Sequence, residues 1–126
     1  VTDAQVAAGL ASGAIRAELA DRGPANHGRT NRGLALWSPF LSTTRGAMGA
    51  YVSDLWVSET ARGQGLGPAL LAAVRDRAGA EFGATFLRLA VYADNPDALR
   101  FYQRLGFRPK ADEIWLTLEG AALEAV

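Results

Sequence analysis

The feature that most constrains this chain is a glycine-rich turn between a strand and a helix. Aromatic and β-branched residues run through Ala50–Ser58 and predict a strand. From Leu66 onward the apolar residues recur at helical spacing, and either Gly79 or Gly83 ends that helix. The connection, residues 62–67 (RGQGLG), has glycine at every second position. Together with the other predicted elements, which give the order strand, strand, helix, strand, helix, strand, this predicts a layered α/β or α+β fold.

Such a turn is suited to holding phosphate. Glycines at alternate positions let successive backbone N–H groups point into one concavity, the helix N-terminus adds partial positive charge, and Arg62 adds a full charge. A tight turn with one or two glycines at positive φ is an equal alternative. A dinucleotide fingerprint would need glycine at Pro68, and a Walker A loop would need Gly-Lys, whereas the only lysine is Lys110. Neither nucleotide motif fits.

Hydrophobic spacing and turn residues predict the other elements. In chain order they are a helix from Thr2 or Asp3 to about Asp21, a loop over residues 22–32, strands over residues 33–40 and 85–92, a helix that starts at Asn95-Pro96 and ends before Gly106, and strand segments from Phe107 onward and over residues 114–118. A chain of 126 residues corresponds to one domain, residues 1–126.

Composition excludes several classes of function. Thirteen basic residues balance thirteen acidic ones, which argues against nucleic-acid binding driven by bulk charge. There is no cysteine and only one histidine, His27, so disulfide scaffolds, thiol nucleophiles and multi-histidine metal centres are excluded. No apolar run approaches the roughly 18 residues of a membrane span, and no signal peptide is found, so we expect a cytoplasmic protein. The preference for arginine and alanine suggests a bacterial source.

Two motifs in order resemble those of one family. Arg62, Gly65 and Gly67 match Arg/Gln-x-x-Gly-x-Gly/Ala, the motif with which the GCN5-related N-acetyltransferases (GNAT) bind the pyrophosphate of acetyl-CoA. The second motif is matched by Asn95-x-x-Ala98-x-x-Phe101-Tyr102-x-x-x-Gly106-Phe107. The resemblance covers residues 33–120 and implies an α/β (α+β) fold, with a mixed central sheet flanked by helices.

Within that superfamily, residues 34–57 are most similar to the diamine and thialysine acetyltransferases. The shared features are the Ser-Pro-Phe-x-Ser-Thr loop, the pair Arg45-Gly46 and an aromatic-rich strand carrying Asp54. This similarity implies acetyl transfer to a primary amine of a small molecule, by direct attack in a ternary complex. A protein or peptide amine is the alternative acceptor, and a homodimer is a further expectation.

The resemblance also implies which residues meet acetyl-CoA, with no metal involved. The backbone of the central strand would pair with the pantetheine arm, and a local splay would free an N–H for the thioester oxygen. The implied cofactor-binding residues are Leu55, Trp56, Val57, Arg62, Gly63, Gln64, Gly65, Leu66, Gly67, Pro68, Asn95, Ala98 and Tyr102.

Tyr102 is the implied general acid, which protonates the departing sulfur. The alternative is a ring that only packs in the core. Asn95 would cap its helix, touch the pantetheine, or do both.

The general base is less clear. Diamine-type enzymes carry Glu-Asp where this chain has Ser53-Asp54. Strand alternation predicts that Ser53 and Asp54 lie on opposite faces, so Asp54 would not simply replace the missing glutamate. The candidates to collect the proton are Asp54, Glu59, or a water held by Ser53, which we assign to the substrate side. Without the glutamate, selectivity for a polyamine is in doubt.

The N-terminal half is short for the family pattern. Only about 49 residues precede the central strand, and a partner strand beside residues 33–40 is missing near residues 22–32. Either the acceptor side is trimmed, or residues have been left out of the sequence before Val1 or within this half. We expect the second.

Two other classes of function compete with the enzyme. A non-catalytic acyl-CoA sensor would keep the phosphate-binding turn without turnover; the absent glutamate favours it and Tyr102 argues against it. A nucleotide-binding module would bind ATP or NAD at the same turn, and Pro68 argues against it.

Overall fold

The computed structural model describes residues 2–21, 31–110 and 112–126. These residues form two compact units, Val1–Ala90 and Val91–Val126. The first unit holds helix α1 (Asp3–Ser12), strands β1 (Arg16–Asp21), β2 (Asn31–Ser42) and β3 (Ala47–Val57), a 3-10 turn (Glu59–Ala61), helix α2 (Leu66–Phe82) and strand β4 (Leu87–Arg88). The second unit holds helices α3 (Pro96–Arg104) and α4 (Gly120–Glu124). The single domain expected for the chain stays a prediction.

A four-stranded sheet in the order β1-β2-β3-β4 organises the first unit. The pairs β1–β2 and β2–β3 are antiparallel, whereas β3 and β4 are parallel, so the sheet is mixed. Helix α2 covers one face, which we call the inner face. The buried core lies between them and is formed by Gly33, Ala35, Trp37, Ala50, Val52, Leu70, Leu71, Val74 and Ala78. The predicted mixed α/β class is therefore confirmed.

The N-terminal prediction of one long helix to Asp21 is wrong. Helix α1 ends at Ser12 because Gly13 adopts the left-handed conformation, φ 80°, that commonly ends helices. Strand β1 follows and pairs with β2, Arg16 lying opposite Trp37. The partner strand that seemed to be missing beside residues 33–40 is thus present as β1. The loop predicted over residues 22–32 lies mostly outside the described residues, and its last two positions, Asn31 and Arg32, belong to β2.

Strand β1 has no alternating hydrophobic pattern, because polar side chains occupy its inner face. Glu18 accepts hydrogen bonds from Trp37 Nε1 and Arg77 Nη1, each at 2.9 Å. Arg77 also donates to the carbonyl of Ala17 at 3.2 Å, and Arg16 lies 3.3 Å from Glu81 of α2. The hydrogen bond with Glu18 raises the pKa of the Arg77 guanidinium. These contacts hold α2 against β1 and β2.

Helix α2 ends at Phe82, with Gly83 at φ 67° as its cap, so the second of the two predicted ends is confirmed. Helix α3 is confirmed with Asn95 as N-cap and Gly106, φ 104°, just beyond its end.

Two strand predictions are wrong in extent or in kind. The strand predicted over residues 85–92 is reduced to Leu87–Arg88. The segments predicted from Phe107 onward and over residues 114–118 carry no strand among the described positions, and helix α4 follows them. A strand needs a neighbour to pair with, and apolar alternation does not supply one. Ile114 and Leu116 are consequently exposed.

Candidate functional site

The corner between β3 and α2 is built by two glycines. After the 3-10 turn, Gly63 adopts φ 80° and Gly65 adopts φ 75°, values that residues other than glycine rarely take. Gly65 is also the N-cap of α2 and offers no side-chain cap to the helix. The first backbone N–H groups of α2 therefore have no capping side chain to accept their hydrogen bonds.

Five consecutive amides, those of Gly63 to Gly67, donate to no acceptor in the described residues. The first amide beyond them that forms a helical bond is that of Ala69, which donates to the Gly65 carbonyl at 3.1 Å. Pro68 stands between and has no N–H to leave unpaired, which is why proline is tolerated in a first turn. We call residues 62–68 the amide cradle.

Space and charge in the amide cradle suit an anion. A Cβ atom built on Gly63 or Gly65 would meet nothing within 4 Å, so the space beside them is open. Arg62 is exposed next to them, and the N-terminus of α2 contributes partial positive charge. These donors fit a diphosphate of the kind that coenzyme A carries, because phosphate oxygens accept several hydrogen bonds at once.

Arg32 contacts this cradle, although no sequence motif indicated it. It lies near the start of β2, where its carbonyl accepts a hydrogen bond from the Ser58 amide at 2.8 Å. Its Nη2 donates to Gln64 Oε1 in the cradle. No motif marks this position, since the contact joins residues 32 positions apart in the chain.

A β-bulge in β3 changes the predicted placement of the Ser53-Asp54 pair. Trp37 pairs with Val52 and Leu36 pairs with Asp54, so Ser53 is the extra residue. Before the bulge Val52 is buried, and after it Leu55 is the less exposed neighbour, so the alternation shifts by one residue. Ser53 and Asp54 are both exposed and lie on the outer face of the sheet. The prediction of opposite faces is wrong.

The Ser53 hydroxyl is engaged locally and donates to the Leu36 carbonyl at 3.3 Å. Asp54 forms no ion pair with any described residue. Trp56 follows on the same outer face and is 47% exposed. A carboxylate and an aromatic ring thus stand two residues apart on one open surface.

The backbone of Leu55–Val57 has one occupied edge and one open edge. Pairing with β2 continues to Val57, whereas pairing with β4 stops at Tyr51. From Ser53 to Val57 the edge facing β4 has no strand partner in the described chain. An extended ligand segment carrying amide groups can pair with such an edge.

The predicted residues of the second motif lie on α3, in the second unit. The Asn95 side-chain oxygen accepts a hydrogen bond from the Ala98 amide at 3.1 Å, so the capping role of Asn95 is confirmed. Tyr102 is half-buried between Phe101 and Phe107, with ring centroids 5.1 and 5.5 Å away. Burial raises the pKa of the Tyr102 phenol above its ordinary value. The phenol is therefore protonated at neutral pH.

The structure thus brings Ser53–Val57 and the amide cradle into the first unit, and Asn95, Ala98 and Tyr102 into one helix of the second. No group of three histidine, cysteine or acidic residues suited to a metal occurs in residues 2–21, 31–110 and 112–126. Over the same residues, no helix is long and apolar enough to cross a membrane.

A strand, a glycine-built amide cradle and a helix, on a mixed sheet with an open strand edge, define the coenzyme A-binding acyltransferases. The sequence model of the acetyltransferase (GNAT) family matches residues 30–107. The chain belongs to this family, and the expected N-acetyltransferase is confirmed at the level of the family.

Solved structures support the same fold. A probable acetyltransferase is 24% identical, with TM-score 0.74, over 94% of this chain and 76% of that one. A Pyrococcus furiosus protein named as a candidate acetyl transferase is 29% identical, with TM-score 0.68, over 90% and 73%. An integron cassette protein from the mobile metagenome of V. cholerae is 25% identical, with TM-score 0.67; the chain covers 59% of its length, and 76% of this chain is matched. Comparison with curated proteins gave no match.

Proposed function

We propose that this protein transfers the acetyl group of acetyl-CoA to a primary amine of a small molecule, such as a diamine or a lysine analogue. The observation that carries the proposal is the row of unpaired amides from Gly63 to Gly67 at the N-terminus of α2, next to Arg62. A row of donors beside open space suits a ligand with many acceptor oxygens in succession, as the diphosphate of coenzyme A has.

The open edge of β3 supports the placement of the rest of the coenzyme. Pantetheine is an extended chain with two amide groups, and it pairs with backbone as a strand does. In this proposal the Leu55–Val57 edge holds that arm, and one backbone N–H there is aimed at the thioester oxygen. The amine nitrogen attacks the thioester carbon directly, so that a C–N bond forms as the C–S bond breaks.

Two side chains are proposed for the proton transfers. Tyr102 donates its hydroxyl proton to the departing sulfur, a role supported by its half-buried, protonated phenol. Asp54 takes the surplus proton of the amine, and Ser53 contacts the acceptor. Support for Asp54 comes from the bulge, which turns the carboxylate to the exposed face that also carries Trp56. An ammonium group is attracted both by a carboxylate and by an indole face.

The function is tested by measuring thiol release from acetyl-CoA over a panel of amines. The panel holds diamines, lysine analogues and a peptide with a free N-terminal amine, and binding of coenzyme A is titrated in parallel. Release with a small amine supports the proposal, and release with the peptide alone assigns the acceptor to proteins. Coenzyme A binding without release for any amine identifies a sensor. Absence of coenzyme A binding refutes the proposal.

A homodimer and a cytoplasmic location remain part of the proposal. The first is measured by light scattering of the purified chain.

A further inference from the structure

The contact between Arg32 and Gln64 joins the start of β2 to the amide cradle. Arg32 occupies an irregular position: in the β1–β2 ladder Gly33 pairs with Ala20 and Asn31 with Asp21, so Arg32 has no partner opposite it. Its carbonyl is held by the Ser58 amide, which fixes the backbone beside the turn into the cradle. The guanidinium of Arg32 thus reaches the cradle from β2, whereas the cradle itself follows β3 in the chain.

The chemistry of the pair determines which way Gln64 faces. A guanidinium has only donors, so the atom of the Gln64 carboxamide that contacts Arg32 is the oxygen. The amide nitrogen of Gln64, with its two hydrogens, is consequently turned away from Arg32. Gln64 contributes the second of the five amides that have no acceptor in the described residues, between Gly63 and Gly65.

The pair has little reason to exist for stability alone. Both side chains belong to an exposed contact, and exposed polar pairs contribute little to the free energy of folding. Arg32 has no carboxylate within ion-pair distance among the described residues. Within the described side chains its positive charge thus has no carboxylate to compensate it, and an anion bound at the N-terminus of α2 beside Gln64 would do so.

We propose that Arg32 is a second cationic ligand of the coenzyme A diphosphate, acting from outside the glycine motif and orienting Gln64 as it does so. This inference rests on the proposed function, since it assumes that coenzyme A occupies the amide cradle. The cradle then has a guanidinium from the turn, Arg62, and one from the sheet, Arg32, with backbone amides between them.

The test compares Arg32→Gln with Arg75→Gln by calorimetric titration of coenzyme A and of its 3′-dephospho form. Arg75 is exposed on α2 and paired with Asp76, so its variant removes the same charge from the same unit. We expect Arg32→Gln to weaken both ligands roughly tenfold, the loss of one charge-assisted hydrogen bond. Arg75→Gln should leave both affinities unchanged.

Gln64→Ala supplies an independent variant that leaves Arg32 in place. Because Arg32 orients Gln64, the double variant should lose less affinity than the product of the two single losses. Unchanged affinity in Arg32→Gln, a loss restricted to the 3′-phosphorylated ligand, or strictly additive losses would each overturn the inference.

Gly65→Val separates this inference from the proposed function, because the added branches would crowd the concavity itself. If Gly65→Val abolishes binding while Arg32→Gln does not weaken it, coenzyme A occupies the cradle and Arg32 takes no part. If neither variant alters the affinity, the proposed function fails as well.

Discussion

The two ends of α2 provide a matched pair of glycines. Gly65 has φ 75° and ψ 16°, and Gly83 has φ 67° and ψ 27°. A Cβ atom at either position would meet nothing within 4 Å. Replacing either residue by alanine therefore introduces the same left-handed strain, about 1–2 kcal/mol, with no steric clash. The two variants should differ only in coenzyme A affinity, because the proposed ligand binds at the N-terminal end of α2 and not at its C-terminal end.

At Gly65 the approaching group is the diphosphate, and its loss can be estimated. A hydrogen bond to a charged group contributes about 1.5–3 kcal/mol, so displacing one phosphate oxygen from one amide weakens coenzyme A by roughly tenfold or more. Gly65→Val should weaken it further, because a branched side chain fills more of the open space beside Gly65. At Gly83 no ligand is expected, and neither substitution should change the affinity.

Thermal unfolding and calorimetric titration measure the two effects separately. The alanine variants should lower Tm by a similar few degrees, as expected for about 1 kcal/mol in a chain of this size. Coenzyme A affinity should fall only in the Gly65 series, and more for valine than for alanine. Equal affinities in the Gly65 and Gly83 variants would refute the placement of the diphosphate, whatever happens to Tm.

Three further predictions concern other residues. Tyr102→Phe should lower kcat by about 10²–10⁴-fold and lower coenzyme A affinity much less. Since burial raises the phenol pKa, the wild-type rate should fall only above the ordinary pKa of a tyrosine, and steady-state pH profiles should show this fall only in the wild type. Asp54→Asn should lower kcat/KM for the amine by at least roughly tenfold without weakening coenzyme A, and an unchanged kcat/KM would remove Asp54 as the base. Glu18→Gln should destabilise the fold by about 1–3 kcal/mol in denaturant unfolding, because the carboxylate is 15% exposed and bonded to both Trp37 and Arg77; unfolding at the wild-type midpoint would contradict this.

The cradle could be predicted from sequence because its determinants are local. Glycines at positive φ and a helix start lie within six residues of each other, and each has a recognisable sequence preference. The caps of α2 and α3 were predictable for the same reason. Arg32 was not, since only the fold carries it to Gln64.

Strand β1 shows why the remainder of the fold was less accessible. Its inner-face residues include Arg16 and Glu18, which are satisfied by Glu81, Arg77 and Trp37 instead of by apolar packing. Hydrophobic alternation is blind to a strand of this kind, because the residues that face the helix are charged. The larger apolar residues nearby, Val6, Leu10, Ile15 and Leu19, lie near helical spacing and so predicted one helix, although Gly13 interrupts it.

The bulge at Ser53 had the largest consequence for function, and it is invisible to a rule of period two. An unbroken alternation of side chains along β3 would place Ser53 and Asp54 on opposite faces, and Asp54 would then not replace the absent glutamate. With Ser53 unpaired, the carboxylate of Asp54 lies on the exposed face beside Trp56, opposite Leu36 of β2. The face therefore keeps an acidic group even without the glutamate, so the missing residue is weaker support for a non-catalytic sensor than the sequence suggested. Thiol release from acetyl-CoA by the wild-type protein distinguishes enzyme from sensor, and a loss of that turnover in Asp54→Asn, with coenzyme A binding retained, would assign the base to Asp54.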